Sequence, residues 1–386
     1  MARRFLQTEA SSGIVLLAAT AVALVWANSP WAHGYEDLWT TAAAGDDLRH
    51  WVNDGLMALF FFVVGLEIKG EVVRGQLGSA RDAALPVVVA LGGMAVPAAI
   101  YAVVNAGGDG ASGWGIPMAT DIAFAVGVLA LLGTRVPPAL KVLLLALAIV
   151  DDVGAIAVIA VAYSDDLSLG WAAAAVAGLV GFALLRRLRV GYLPIAALVG
   201  VGVWVATLSS GVHATIAGVA LGLVTPARPR GTESVSVGER LEAALHPWTS
   251  FAVVPIFALA NAGIPLSVDA IGDAAGSAIT VGVVAGLVIG KFVGVLGAAW
   301  LAVRFGIARL PEGVAWPHLA GMAALAGIGF TVSIFVSGLA FDDVARVDQA
   351  RVGVLAASVI AAVAGSVLLL RAGRSLPRDA PTGGGA

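Results

Sequence analysis

LALAIVDDVGAIAVIA, residues 145–160, decides how this chain is read. It belongs to an apolar run, residues 140–161, that is long enough to cross a bilayer, yet it carries Asp151 and Asp152 side by side. A charge at the centre of a membrane helix costs about 2.5 to 3.5 kcal/mol on the lenient insertion scale, so a tandem pair points to function rather than packing. Two other charges share these surroundings: Asp121, within 114–132, and Lys291, within 279–303. These four residues are the candidate machinery.

Composition supports the membrane reading. Of 386 residues 59% are hydrophobic and 12% charged, with a mean hydropathy of +0.95. A soluble domain of that make-up would expose large apolar patches. The sequence lacks cysteine, which excludes disulfides, thiolate metal sites and thiol catalysis. A net charge of −3 offers nothing to nucleic acid. The 49 glycines suit helices that pack closely in lipid.

Apolar stretches near the roughly 20 residues that a spanning helix needs predict an all-α membrane protein of twelve spans. They lie at 11–28, 51–68, 83–105, 114–132, 140–163, 169–185, 192–208, 213–225, 248–264, 277–303, 314–339 and 352–370. The division at Ser209, Ser210 and Gly211 is the weakest; without it there are eleven spans and everything after it reverses. Charge argues for twelve. That count puts 18 of the 22 Lys and Arg residues on the side of the termini and three, Arg49, Arg346 and Arg351, on the other, with Lys291 in the membrane. The excess of positive charge places both termini in the cytoplasm.

Arg3 and Arg4 before an apolar run also fit a signal peptide, but Glu9 interrupts it and eleven further spans need no cleaved leader. Residues 29–50 read as a polar external loop with interfacial Trp31, Trp39 and Trp51, and are also a place for a contact between subunits. One transmembrane domain, 1–375, is followed by a tail, 376–386, expected to be disordered and cytoplasmic.

Two spans carry breaks at membrane depth. In the fourth, Gly115, Pro117, Thr120 and Asp121 fall together, and the proline removes a backbone hydrogen bond. In the eleventh, Gly327 and Gly329 precede Phe330, Thr331 and Ser333. By the charge map these spans run in opposite directions. Interrupted helices in corresponding positions of two halves point to inverted repeats, helices 3–5 and 10–12, with an ion site where the two breaks cross near the midplane.

Adjacent positions on a helix diverge by about 100°, so Asp151 and Asp152 can border one crevice without sharing a pocket face-on. Like charges this close resist joint ionisation, and their titration is coupled. A small cation competing with protons for these oxygens is an exchange mechanism, provided the site opens to one side at a time. Hard oxygen donors suit Na+ or Li+, and Thr120 adds a neutral oxygen. Lys291 needs a partner, Asp151, Asp152 or the carbonyl end of a broken helix. Asp121 is placed to face amide ends, where the helix dipole favours negative charge.

The stretches GLEIKGE (65–71), PMATDIAFAVGVLALLG (117–133), LALAIVDDVGAIAVIA (145–160), SGVHATIAG (210–218), LEAALHPW (241–248), FALANAG (257–263) and GIGFTVSIF (327–335) resemble, in order and over nearly the whole chain, the NhaA-type sodium/proton antiporters. The resemblance implies an electrogenic antiporter of the cell inner membrane, not an enzyme, that exports Na+ or Li+ and admits protons for pH and sodium homeostasis, active at alkaline pH. It implies no cofactor: the transported ions and membrane lipid are the partners, with a homodimer through the 29–50 loop. By motif match Asp152 is the principal ligand and Asp151 the salt-bridge partner of Lys291. Asp121 and Thr120 belong to the crossing of broken helices. Glu67, His213, Glu242 and Asp54 match positions tied to pH response or to the cytoplasmic funnel. The chain departs from the family motif at Gly70, where an arginine is common, so that a pH response relying on that guanidinium is either altered or supplied by Lys69.

Two other classes compete. An intramembrane aspartyl protease needs acids that meet across helices, one after Gly-x-Gly, a pattern missing from the spans. A sodium-coupled symporter of an organic anion needs more cationic or polar groups than Lys291.

Overall fold

The computed structural model describes residues 2–164, 167–187, 193–229 and 233–373; the 376–386 tail lies outside them. α1 (Ala2–Ala27) bends by 116° into α2 (Ala32–Trp39). A small antiparallel hairpin, β1 (Ala42–Ala43) on β2 (Asp46–Asp47), leads through α3 (Leu48–His50) and a π-helical stretch, Trp51–Leu56, into α4 (Met57–Arg74). α5 (Ala80–Val104) is followed by a 3-10 helix, Ala111–Met118, and α6 (Ile122–Leu131). Next come α7 (Pro138–Ala162), α8 (Leu169–Arg187), α9 (Leu193–Leu208) and α10 (Thr215–Val224). α11 (Val237–Trp248) continues through the π-helical Thr249–Val253 into α12 (Val254–Asn261). After α13 (Val268–Gly276), α14 (Ala278–Val284) continues through the π-helical Ala285–Gly290 into α15 (Lys291–Arg304). α16 (Trp316–Leu325), α17 (Phe330–Ala340) and α18 (Val344–Ala372) complete the fold.

Among the described residues six helical runs are long and apolar enough to cross a membrane: 81–104, 111–131, 138–162, 237–261, 278–304 and 344–372. Counting each bent pair, α1 with α2 and α16 with α17, as one span gives eight, and three shorter apolar helices lie at 169–185, 194–208 and 215–224. This is a predominantly helical, multi-pass membrane protein.

The break expected near residue 210 is present, with α9 and α10 separated by a turn in which Gly211 adopts φ +83°. The helix expected to begin at 248 begins at Val237. Ser236 accepts from the Glu239 amide, and the Glu239 side chain accepts from the Ser236 amide, a capping box that starts the helix eleven residues early. The 29–50 loop is folded. Trp39 is buried beside Tyr35, and Trp51 stacks on Trp204 at 6.0 Å, so packing accounts for those two while Trp31 stays exposed.

One close approach positions the site. A Cβ on Gly294 of α15 would lie 2.2 Å from the Gly92 carbonyl oxygen of α5, and one on Gly92 would lie 2.5 Å from the Gly294 oxygen. Only paired glycines let the two backbones meet there. The π-helical turn just before Lys291 re-aims its side chain, which passes beside Gly93.

Candidate functional site

The breaks in the fourth and eleventh predicted spans meet. The first half of the fourth is a 3-10 helix rather than an α-helix, as Gly113, Gly115 and Pro117 within it allow, and the chain is extended at Ala119 and Asp121 before α6. α16 and α17 are bent by 44° across residues 326–329. Each broken end leaves backbone groups without helical partners, and the other span supplies them. The Asp121 amide donates to the Ile328 carbonyl at 2.7 Å. The Ser333 hydroxyl donates to the Ile116 carbonyl at 2.7 Å, and the Thr120 hydroxyl lies 2.9 Å from the Ala326 carbonyl.

Asp121 serves the amide ends, as expected. One of its oxygens accepts from the Phe124 amide at 2.9 Å, the start of α6. The other accepts from the Thr331 amide at 3.0 Å and the Thr331 hydroxyl at 2.6 Å, the start of α17. A single buried carboxylate thus caps two helix N-termini and meets both dipoles. Thr331 stands just after the second break in the sequence, but with no charge it gives no sign there of its bond to Asp121. Replacing Thr331 by Val is expected to cost about 1–3 kcal/mol, because a buried acceptor loses its hydroxyl donor, while Thr331→Ser keeps most of it; thermal unfolding in detergent checks both.

Asp151 and Asp152 diverge. Asp151 is fully buried and forms a salt bridge with the equally buried Lys291, both at 0% exposure, and its other oxygen finds no partner among the described residues. The Thr120 hydroxyl lies 2.8 Å from the same Asp151 oxygen that meets Lys291 and shares its one proton between that oxygen and the Ala326 carbonyl. Asp152, 4% exposed, instead lines a narrow cavity of about 60 Å3 together with Thr120, Asp121, Thr331, Glu67 and His246. The expectation that both acids border one crevice is therefore corrected. Of the two only Asp152 lines the cavity, while Asp151 sits behind Thr120, paired with Lys291. A larger cleft of about 510 Å3, between Arg81, Val142 and Arg309, holds none of the four residues.

The structure separates the residues matched to pH response. Glu67 lies 3.8 Å from His246 at the cavity, with Glu242 one turn before His246 on α11. His246 was not singled out in the sequence, although the LEAALHPW block contains it. Asp54 sits at the other end of α4, 3.2 Å from His50 and close to the charge of His213. His213 and Asp54 thus form one group and Glu67 with Glu242 another. Beside Gly70 the occupant is the Arg74 guanidinium, 3.4 Å from where a Cβ would stand, with Glu242 at 4.0 Å and Glu239 at 3.0 Å from Arg74 itself. Arg74, one turn on, is thus the cation beside Gly70.

A multi-pass helical protein whose interrupted helices cross-cap one another beside buried carboxylates and a buried lysine is a secondary transporter. Residues 3–369 match the family described as Na+/H+ antiporter 1, and the chain belongs to that family. Similar proteins include a Na(+)/H(+) antiporter NhaA 2 of Sorangium cellulosum, 46% identical over 98% of this chain and 91% of that one. A Na(+)/H(+) antiporter NhaA 2 of Pseudomonas savastanoi is 50% identical over 96% and 95%, and a Na(+)/H(+) antiporter NhaA of Rhodopirellula baltica is 45% identical over 95% and 93%.

Proposed function

We propose that this chain is an electrogenic antiporter of the cell inner membrane that exports Na+ or Li+ in exchange for protons. The observation that carries the reading is the division of labour between neighbours: Asp152 faces the cavity, while Asp151 is held by Lys291. A cation arriving along the cavity meets Asp152 first, and the ion and a proton cannot occupy its oxygens together. Thr120 and Asp121 are within reach as further oxygen donors. A cation large enough to draw Asp151 as well competes with Lys291, so binding strains the crossing that Thr120 ties to α16. The Asp151–Lys291 pair and Asp152 together give three titratable groups, enough for exchange of unequal charge.

The twelve-span topology, the inverted repeat of helices 3–5 and 10–12 and cytoplasmic termini belong to the same proposal, supported by the charge asymmetry of the sequence. In it, Glu67 and His246 face the cytoplasm and Asp54 and His213 the outside. A homodimer through residues 29–50 is also part of it. In everted vesicles with an acid interior, added Na+ or Li+ is expected to collapse the pH gradient somewhere across about pH 6 to 9, the range that histidines and coupled acids sample. Silence throughout that range with both ions removes the antiporter reading. A response that needs an added organic anion favours the symporter.

A further inference from the structure

The Asp152 cavity ends against two layers that the exchange site does not use. Its walls include Val64 of α4, Val254 of α12 and Val332 of α17. Three residues further along each helix, away from Glu67 and His246, stand Phe61, Phe257 and Phe335. All three are buried, and the Phe335 ring lies 5.5 Å from Phe61 and 6.1 Å from Phe257. A turn beyond this apolar seal is a polar chain. Asn261, at the end of α12, donates to the Asn53 side-chain oxygen at 2.8 Å and to the Phe257 carbonyl at 3.0 Å. The Asn261 oxygen in turn accepts from the Arg351 guanidinium of α18 at 3.0 Å.

Arg351 is oddly provided for. Its side chain is only 12% exposed, and among the described residues its nearest carboxylate, Asp348, is 3.9 Å away and its Nε has no partner. A nearly buried guanidinium held by one amide oxygen and a long ion pair to Asp348 is costly where packing is the only purpose, because apolar side chains of similar size would serve better. It is well suited to a contact that must break, since water satisfies all three groups once they part. The contact also joins different sets of helices. α18 packs on α14, α16 and α17, whereas Asn261 and Asn53 belong to α12 and to the π-helical turn that starts α4. A fixed positive charge above the seal further opposes the passage of a cation while the contact holds.

We propose that Arg351, through Asn261 and Asn53, is the latch that keeps the outer end of the ion pathway shut over the Phe61, Phe335 and Phe257 seal. The inference rests on the proposed route through Asp152 and on its sidedness. Arg351 is a positioning residue that acts through the two asparagines on access to the site.

The absence of cysteine makes the test direct. A single Val332→Cys reporter beneath the seal is exposed to a membrane-impermeant thiol reagent in everted and in right-side-out vesicles. With the latch intact, labelling is expected mainly in everted vesicles. Adding Arg351→Gln is expected to raise the ratio of outside to inside labelling by about tenfold, the size of a population shift that one broken contact produces. Arg351→Lys, which keeps charge and reach, is expected to restore most of the original ratio. Where Arg351→Gln does not reach the membrane folded, Asn53→Ala is read in its place with the same expectation. A ratio unchanged by loss of the latch overturns the proposal, as does one that Arg351→Lys fails to restore. If the reporter alone labels mainly from outside, the sidedness of the proposed function is wrong, and the latch is still judged by whether the ratio changes with Arg351.

Discussion

Replacing Asp152 by Asn is expected to reduce Na+- and Li+-driven proton movement to background while the protein stays folded in the membrane. The amide keeps the size of the carboxylate, but it neither carries a proton nor supplies a negative charge to a dehydrated cation. The other acids near the site are engaged elsewhere: Glu67, also at the cavity, lies 3.8 Å from His246. Asp121 is committed to the starts of α6 and α17, and Asp151 is turned to Lys291. Stability is expected to hold or rise, because the substitution removes one of two like charges on neighbouring positions in a poorly solvated site. Vesicle exchange assays paired with thermal unfolding of the purified variant check both halves. Retained exchange moves the site elsewhere, and a collapse of stability makes Asp152 a structural group.

Lys291→Ala is expected to lower stability by about 3–5 kcal/mol, with a loss of transport, because Asp151 is left as a buried carboxylate with only the Thr120 hydroxyl beside it. The double variant Lys291→Ala with Asp151→Asn is expected to recover much of that stability but not the transport, since removing both charges costs far less than orphaning one. Thermal unfolding of the wild type, each single variant and the double variant gives the coupling between the two positions. Additive effects would mean that the pair does not hold the fold together.

Much of the site was legible because lipid makes charges conspicuous. Asp121, Asp151, Asp152 and Lys291 stand out in apolar runs, and glycines and a proline mark the two breaks. What could not be read was which neighbour each group meets. The divergence of Asp151 from Asp152 depends on where Lys291 arrives from 140 residues away, and that in turn depends on Gly92 and Gly294 letting α5 and α15 touch. Thr331 is invisible to a search for charge, yet it holds Asp121 across 210 residues. Arg74 lies beside Gly70 through a local spacing of four residues on α4, whereas the Glu239 it pairs with comes from α11, a packing that no local pattern encodes. The three π-helical stretches were equally hidden, since an extra residue per turn leaves hydropathy unchanged.

The central claim is that a proton and an alkali cation exclude one another at Asp152. Calorimetric titration of the purified protein with Na+, repeated across pH and in buffers of different ionisation enthalpy, tests it most directly. The account predicts that Na+ binding releases protons and that the apparent dissociation constant weakens by about tenfold per unit of falling pH for each proton displaced, with both effects absent in Asp152→Asn. Na+ binding of constant affinity, with no proton release at any pH, would contradict it.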